Sequence, residues 1–221
     1  MVFGVNPANW RTYLVTQESL SGESTTAEVV EAAIDGGVDV VQLREKDTDT
    51  RRRYELGREL RELTAAADVP LLVNDRVDIA QAIDADGVHL GQSDLPVDVA
   101  RELLGSEAII GCSTGTIEEA TEAEAAGADY LGVGAIYGTD SKTDVPEEKD
   151  GTGLEIVSEI ADAVSIPVVG IGGVTAANAA PVREAGASGV AVISEITGAE
   201  EPAAATRELG AAVSAEVGND E

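Results

Sequence analysis

The strongest constraint in this sequence is a strict alternation. Eight short runs rich in Val, Ile, Leu and Gly are each followed by a stretch with helical periodicity and much Ala, Glu and Leu. The strand-like runs are 12–16, 38–44, 70–74, 87–90, 108–113, 129–134, 167–171 and 189–193. The helical stretches are 25–35, 50–66, 76–83, 96–104, 117–126, 154–164, 176–185 and 201–216. A chain that returns through a helix after every strand builds a parallel sheet. Gly37, Gly127 and Gly186 fall where a helix hands over to the next strand, the place of a C-cap glycine. Eight such units in 221 residues predict a single-domain α/β fold, a (β/α)8 TIM barrel spanning 1–221. An open doubly wound sheet is the alternative, but no GxGxxG follows the first strand. Residues 137–153 are the longest connection and a candidate lid, and 217–221 an expected flexible acidic tail.

Composition narrows the function classes. With 42 acidic and 14 basic residues the formal net charge is -28, which disfavours nucleic acid and anionic membranes as partners. The acids are dispersed among periodic apolar residues rather than collected in blocks, so the chain reads as folded and adapted to a salty cytosol. No apolar run approaches the ~18 residues of a membrane span. The N-terminal stretch MVFGVNPANW has neither a basic nor an apolar signal region, so a cytoplasmic location is expected. Cys112 is the only cysteine and builds neither a disulfide nor a thiolate metal site; it reads as a small core residue.

In a parallel barrel the segments that follow the strands emerge at one rim, where catalytic residues sit. Gln42, Arg44 and Lys46 alternate onto one side of the second strand's end, whereas Val41 and Leu43 point toward the helices. Of three lysines in an acidic chain, Lys46 and Lys142 fall at rim positions, which points to an anionic ligand. Asp75 and Asp94 follow neighbouring strands and are candidates to share Mg²⁺, although aspartate at such junctions also serves as a helix cap. Gly172-Gly173 after strand seven, with Ile193 and Ser194 after strand eight, stands where many barrels hold a phosphate. His89, the only histidine, reads as a satisfied wall residue, and Ser113 as a hydrogen-bonding group without an obvious base.

These segments together resemble the thiamine phosphate synthase family over nearly the whole chain. The matching runs are QLREK at 42–46, ND at 74–75, GVHLGQSD at 87–94, GCST at 111–114, YLGVGAIYGTDSK at 130–142, IPVVGIGG at 166–173 and GVAVIS at 189–194. The resemblance implies transfer of a hydroxymethylpyrimidine group from its diphosphate to the ring nitrogen of thiazole phosphate, by a dissociative, SN1-like course. It implies that Gln42, Leu43, Arg44, Glu45, Lys46, Asn74 and Ser113, with Lys142, contact the pyrimidine diphosphate, and that Asp75 and Asp94 hold Mg²⁺. Thr139, Asp140 and Ser141, with Gly173, Ile193 and Ser194, would contact the thiazole phosphate; Arg44, Lys46, Ser113 and Lys142 form the expected catalytic set. Gly115 departs from the pattern, because relatives often carry histidine there and the related thiazole tautomerases use it for proton transfer. A tautomerase-like isomerase and a non-catalytic phosphate-binding barrel are the rival readings, and a homodimer is allowed.

Overall fold

The computed structural model describes residues 6–46, 48–138 and 153–214. Its strands are β1 Thr12–Val15, β2 Val40–Leu43, β3 Leu71–Asn74, β4 Gly87–Leu90, β5 Ile109–Thr114, β6 Tyr130–Val133, β7 Val168–Ile171 and β8 Gly189–Val192. All pair in parallel and in sequence order, and β8 returns to β1 to close the barrel. The helices are α1 Thr26–Asp35, α2 Thr50–Ala66, α3 Val77–Ile83, α4 Val97–Leu104, α5 Ile117–Ala125, α6 Gly153–Ala163, α7 Ala179–Glu184, α8 Ser194–Thr197 and α9 Pro202–Ser214. The fold is therefore the TIM barrel that the alternation predicts.

Local chemistry sets the element ends. Thr25 and Glu28 start α1 with a reciprocal capping box, and Asp49 accepts the Arg52 N–H at 2.9 Å to start α2. Several strands are shorter than expected because their first residues belong to tight junctions at the bottom of the barrel. Asp39, Asp86 and Asp129 immediately precede β2, β4 and β6, and each turns its carboxylate back onto the strand before. Asp39 accepts from Thr12 N–H at 2.8 Å, Asp86 from Leu71 N–H at 2.8 Å, and Asp129 from Ile110 N–H at 2.7 Å. Arg61 pairs with Asp86 at 3.0 Å and Arg101 with Asp129 at 2.7 Å, tying the helical layer to the same clamps. The helix expected over 176–185 starts later, at Ala179, because Asn178 first closes the preceding loop by bonding Thr175 N–H and Gly173 C=O. The four-residue α8 was not expected; one turn is too short to register as a period.

Strand alternation divides the core in two. Leu14, Val41, Leu43, Val73, Val88 and Leu131 face the helices. Tyr13, Val15, Val40, Leu72, Tyr130, Val169 and Ala191 fill the barrel interior, where Trp10 packs edge-on against Tyr13 and Tyr130. Interior and exterior each bury a continuous apolar surface, and what remains polar inside the barrel lies toward the rim.

Candidate active site

The end of β2 sorts its residues by side. Gln42 points inward, 4 % exposed, and its Nε2 donates to Tyr13 Oη at 2.5 Å. Arg44 is buried, its N–H on Thr16 Oγ1 at 3.1 Å and its Nη1 on Gln17 Oε1 at 2.8 Å. Lys46 is exposed, and the loop that carries it is held by Arg53, which donates to the carbonyls of Glu45 and Thr48. Two further residues expected to contact substrate in this run also have buried side chains. Leu43 is fully buried in the helix-facing core, because strand parity turns it away from the mouth. The Glu45 side chain is buried too, with Oε1 accepting from Thr16 and Thr26 hydroxyls and Oε2 from Glu18 N–H at 2.9 Å. Burial raises its carboxyl against the pull of those donors. Both side chains brace the β2 end, so any contact these residues make with substrate falls to their backbone.

Asp75 and Asp94 do come together. Asp75 follows β3 in the left-handed region at φ 62°, its N–H on the His89 carbonyl at 2.9 Å. Asp94 accepts from Gly91 N–H at 2.7 Å, and its carboxylate lies close enough to act electrostatically on Asp75. Burial first, then the neighbouring Asp94, pushes Asp75 up to about 6, while Lys46 and Arg44 pull the other way. Neither aspartate caps a helix: the N-caps of α3 and α4 are Arg76 and Pro96, with no side-chain bond at either. The capping alternative therefore falls. Two neighbouring carboxylates with no helix to cap fit a hard cation. Among the described residues no third acidic, His or Cys ligand joins them, which suits Mg²⁺ because it keeps water and phosphate oxygens in its remaining positions.

A cavity opens into the barrel, lined by Gln42, Asn74, His89 and Ser113 with the apolar walls Val15 and Ile171. His89 bridges it on β4, with Nδ1 2.8 Å from Tyr130 Oη and Nε2 2.8 Å from Ser113 Oγ. Ser113 thus has the imidazole partner that sequence could not name, and His89 has a hydroxyl at each ring nitrogen. The signal was present in two strand-interior glycines. A Cβ at Gly111 would lie 2.1 Å from Tyr130 Cζ, and one at Gly132 would lie 2.9 Å from His89 Cε1. Glycine inside a strand marks such close approaches. Cys112 is buried as expected, its thiol raised to about 11 by burial and then by Glu119 and Asp94.

On the opposite side Gly172 and Gly173 take φ of 101° and 67°, and a Cβ on Gly173 would meet the Gly138 carbonyl at 2.4 Å. This turn admits only glycine. Ile193 is buried at the end of β8 and Ser194 is exposed as the first residue of α8. Gly115, which stands in place of the relatives' histidine, donates its N–H to Glu119 at 2.7 Å. Thr139, Asp140, Ser141 and Lys142, with most of the candidate lid and the 217–221 tail, lie outside the described residues.

A closed parallel barrel with buried polar groups, a carboxylate pair and cations gathered at its C-terminal rim is a TIM-barrel enzyme. The family model for thiamine monophosphate synthase matches residues 12–196. A thiamine-phosphate synthase of Haloarcula marismortui is 61% identical over 205 residues, covering 93% of this chain and 97% of that protein. One from Natronomonas pharaonis is 64% identical over 201 residues, covering 91% and 94%. The solved thiamine phosphate pyrophosphorylase of Pyrococcus furiosus superposes with a TM-score of 0.85 at 42% identity, covering 96% of this chain and 100% of that one. The chain belongs to the thiamine monophosphate synthase family and is a transferase.

Proposed function

We propose that this chain joins the hydroxymethylpyrimidine group of its diphosphate to the ring nitrogen of thiazole phosphate, yielding thiamine phosphate and diphosphate. The observation that carries the reading is the electrostatic neighbourhood of Asp75, where Asp94, Lys46 and Arg44 all act on its carboxyl, a carboxylate pair among cations in a chain of net charge -28. If the carbon–oxygen bond to diphosphate breaks early, charge builds on the leaving group, and only groups that bind it more tightly then will speed the step. Mg²⁺ held by Asp75 and Asp94 supplies charge neutralisation at the diphosphate when bound. Arg44, Lys46 and Lys142 bind and orient that group. Gln42, Asn74 and Ser113 hold the pyrimidine ring in the interior cavity, where the apolar walls exclude water. Thr139, Asp140 and Ser141, with the Gly173 turn, Ile193 and Ser194, take the thiazole phosphate. No strong general base is needed on this course.

The rival tautomerase reading lacks its proton carrier, because position 115 is glycine. An assay in molar KCl separates the readings. We expect Mg²⁺-dependent diphosphate release only with both substrates present; turnover of the thiazole alone would favour the isomerase, and turnover of neither would leave a binding barrel. Lys142→Ala should lower kcat by on the order of 10²-fold, as loss of a transition-state donor does, with little change in thiazole binding. Among the described residues no helix is long and apolar enough to cross a membrane. We read the chain as a single cytoplasmic domain; whether it is a monomer or a homodimer is settled by sedimentation in molar KCl.

A further inference from the structure

Five side chains form one continuous hydrogen-bonded line through the barrel: Gln42, Tyr13, Tyr130, His89 and Ser113. The successive separations are 2.5, 2.9, 2.8 and 2.8 Å. It starts on β2, crosses the interior by way of β1 and β6, and ends on β4 and β5. Gln42 and Ser113, its two ends, both line the cavity. The space for its middle is made by Gly111 and Gly132, whose missing Cβ atoms are replaced by the Tyr130 ring and the His89 ring.

Each hydroxyl in such a line has one proton to give, so the direction chosen at one end propagates to the other. Gln42 Nε2 donates to Tyr13. The arrangement that then leaves no hydroxyl proton unused has Tyr13 donating to Tyr130, and Tyr130 to His89 Nδ1. That leaves the imidazole proton on Nε2, where it is given to Ser113 Oγ, and the Ser113 proton turns toward a ligand. Burial raises both phenols far above neutrality, so neither gives up its proton and breaks the sequence.

We propose that Tyr13, Tyr130 and His89 are positioning residues whose one-way hydrogen-bond relay fixes the His89 tautomer and presents Ser113 as a donor to a ring nitrogen of an aminopyrimidine. The ligand class rests on the function proposed above; the relay does not. His89 is the only histidine in the chain, so ¹⁵N-histidine labelling gives one unambiguous imidazole. In the free wild-type protein in molar KCl we expect a single Nε2–H tautomer, and an Nδ1–H tautomer would overturn the relay's direction. Gln42→Glu places an acceptor-only group at the far end and should reverse the line, moving the proton to Nδ1. A folded Gln42→Glu variant with an unchanged tautomer would sink the proposal.

Tyr130→Phe cuts the line without touching the rim. We expect the KM for the pyrimidine diphosphate to rise about tenfold while the KM for thiazole phosphate holds, a loss of the order of one hydrogen bond. An equal rise in both, or none in either, argues for a structural role alone and overturns the positioning claim. A wild-type protein that makes no thiamine phosphate defeats the proposed function but leaves the tautomer measurement to decide the relay.

Discussion

Asp75 and Asp94, on the loops after adjacent strands β3 and β4, lie close enough that the Asp94 carboxylate raises the Asp75 carboxyl. Burial first, then Asp94, raises Asp75 to about 6, above its ordinary value of 3.8, so Asp75 holds its proton more tightly in the metal-free protein. The sign follows: this contribution to stability is present below the unfolded pKa and is lost as pH rises through about 6. Mg²⁺ competes with the same proton. Titrating Mg²⁺ by calorimetry at pH 5 and pH 8 should therefore give weaker binding at the lower pH, and equal affinity at both would remove Asp75 from the metal site. Asp75→Asn should weaken Mg²⁺ binding and abolish its pH dependence near 6.

The interior glycines give a sharper steric test. A Cβ at Gly111 meets the fully buried Tyr130 ring at 2.1 Å, and no rotamer of a wedged aromatic absorbs that. Gly111→Ala should cost about 1–3 kcal/mol or more by overpacking, read as a lower denaturation midpoint. Gly132→Ala meets His89 Cε1 at 2.9 Å, at the edge of the cavity where the ring has room to tilt. It should cost less stability than Gly111→Ala but shift the His89 NMR signals more. The reverse ranking would show that the two rings are not seated as described.

At the bottom of the barrel the test concerns an ion pair. Asp86 and Arg61 have side chains only 8% and 15% exposed, and Asp86 also accepts the Leu71 N–H. Removing the carboxylate leaves a half-buried guanidinium and a strand N–H without their acceptor. Asp86→Ala should lose about 3–5 kcal/mol, the usual cost of breaking a buried pair. The exposed pair of Arg51 and Glu55, with side chains 87% and 58% exposed, supplies the control: Arg51→Ala should cost no more than ~1 kcal/mol.

Much of this was written in the sequence, and the exceptions have physical reasons. Alternation and C-cap glycines specify the barrel because a parallel strand must return through a helix, so one local pattern fixes the topology. The rim cations and the Asp75 and Asp94 pair were legible from rarity and from neighbouring strand numbers. The inward tie of the Glu45 side chain was not legible, because a charged residue next to Arg44 and Lys46 looks like rim, whereas its partners Thr16, Glu18 and Thr26 lie between β1 and the start of α1. The Tyr13 to Tyr130 contact spans 117 residues and was hidden, since no local period reports which inward residues meet across a barrel. Gly111 and Gly132 held that information, but only as missing atoms.

Salt sets the last expectation. With a net charge of -28, the acidic surface repels itself over a Debye length of about 10 Å at 0.1 M, which shrinks to roughly 3 Å at 1 M. The clamps of Asp39, Asp86 and Asp129 bind backbone N–H groups at short range and are part-buried, so screening affects them little. Exposed, highly acidic helices such as α5, with Glu118, Glu119, Glu122 and Glu124 in one short span, feel the repulsion most. Tm should rise steadily from dilute buffer to molar KCl, equally with NaCl, and sucrose should not substitute for either. Hydrogen exchange should report the helical layer opening first at low salt while the strand starts at Thr12, Leu71 and Ile110 stay protected. A Tm that is unchanged from dilute to molar salt would mean that the charge is tolerated without screening, and the reading of this surface as adapted to salt would fall.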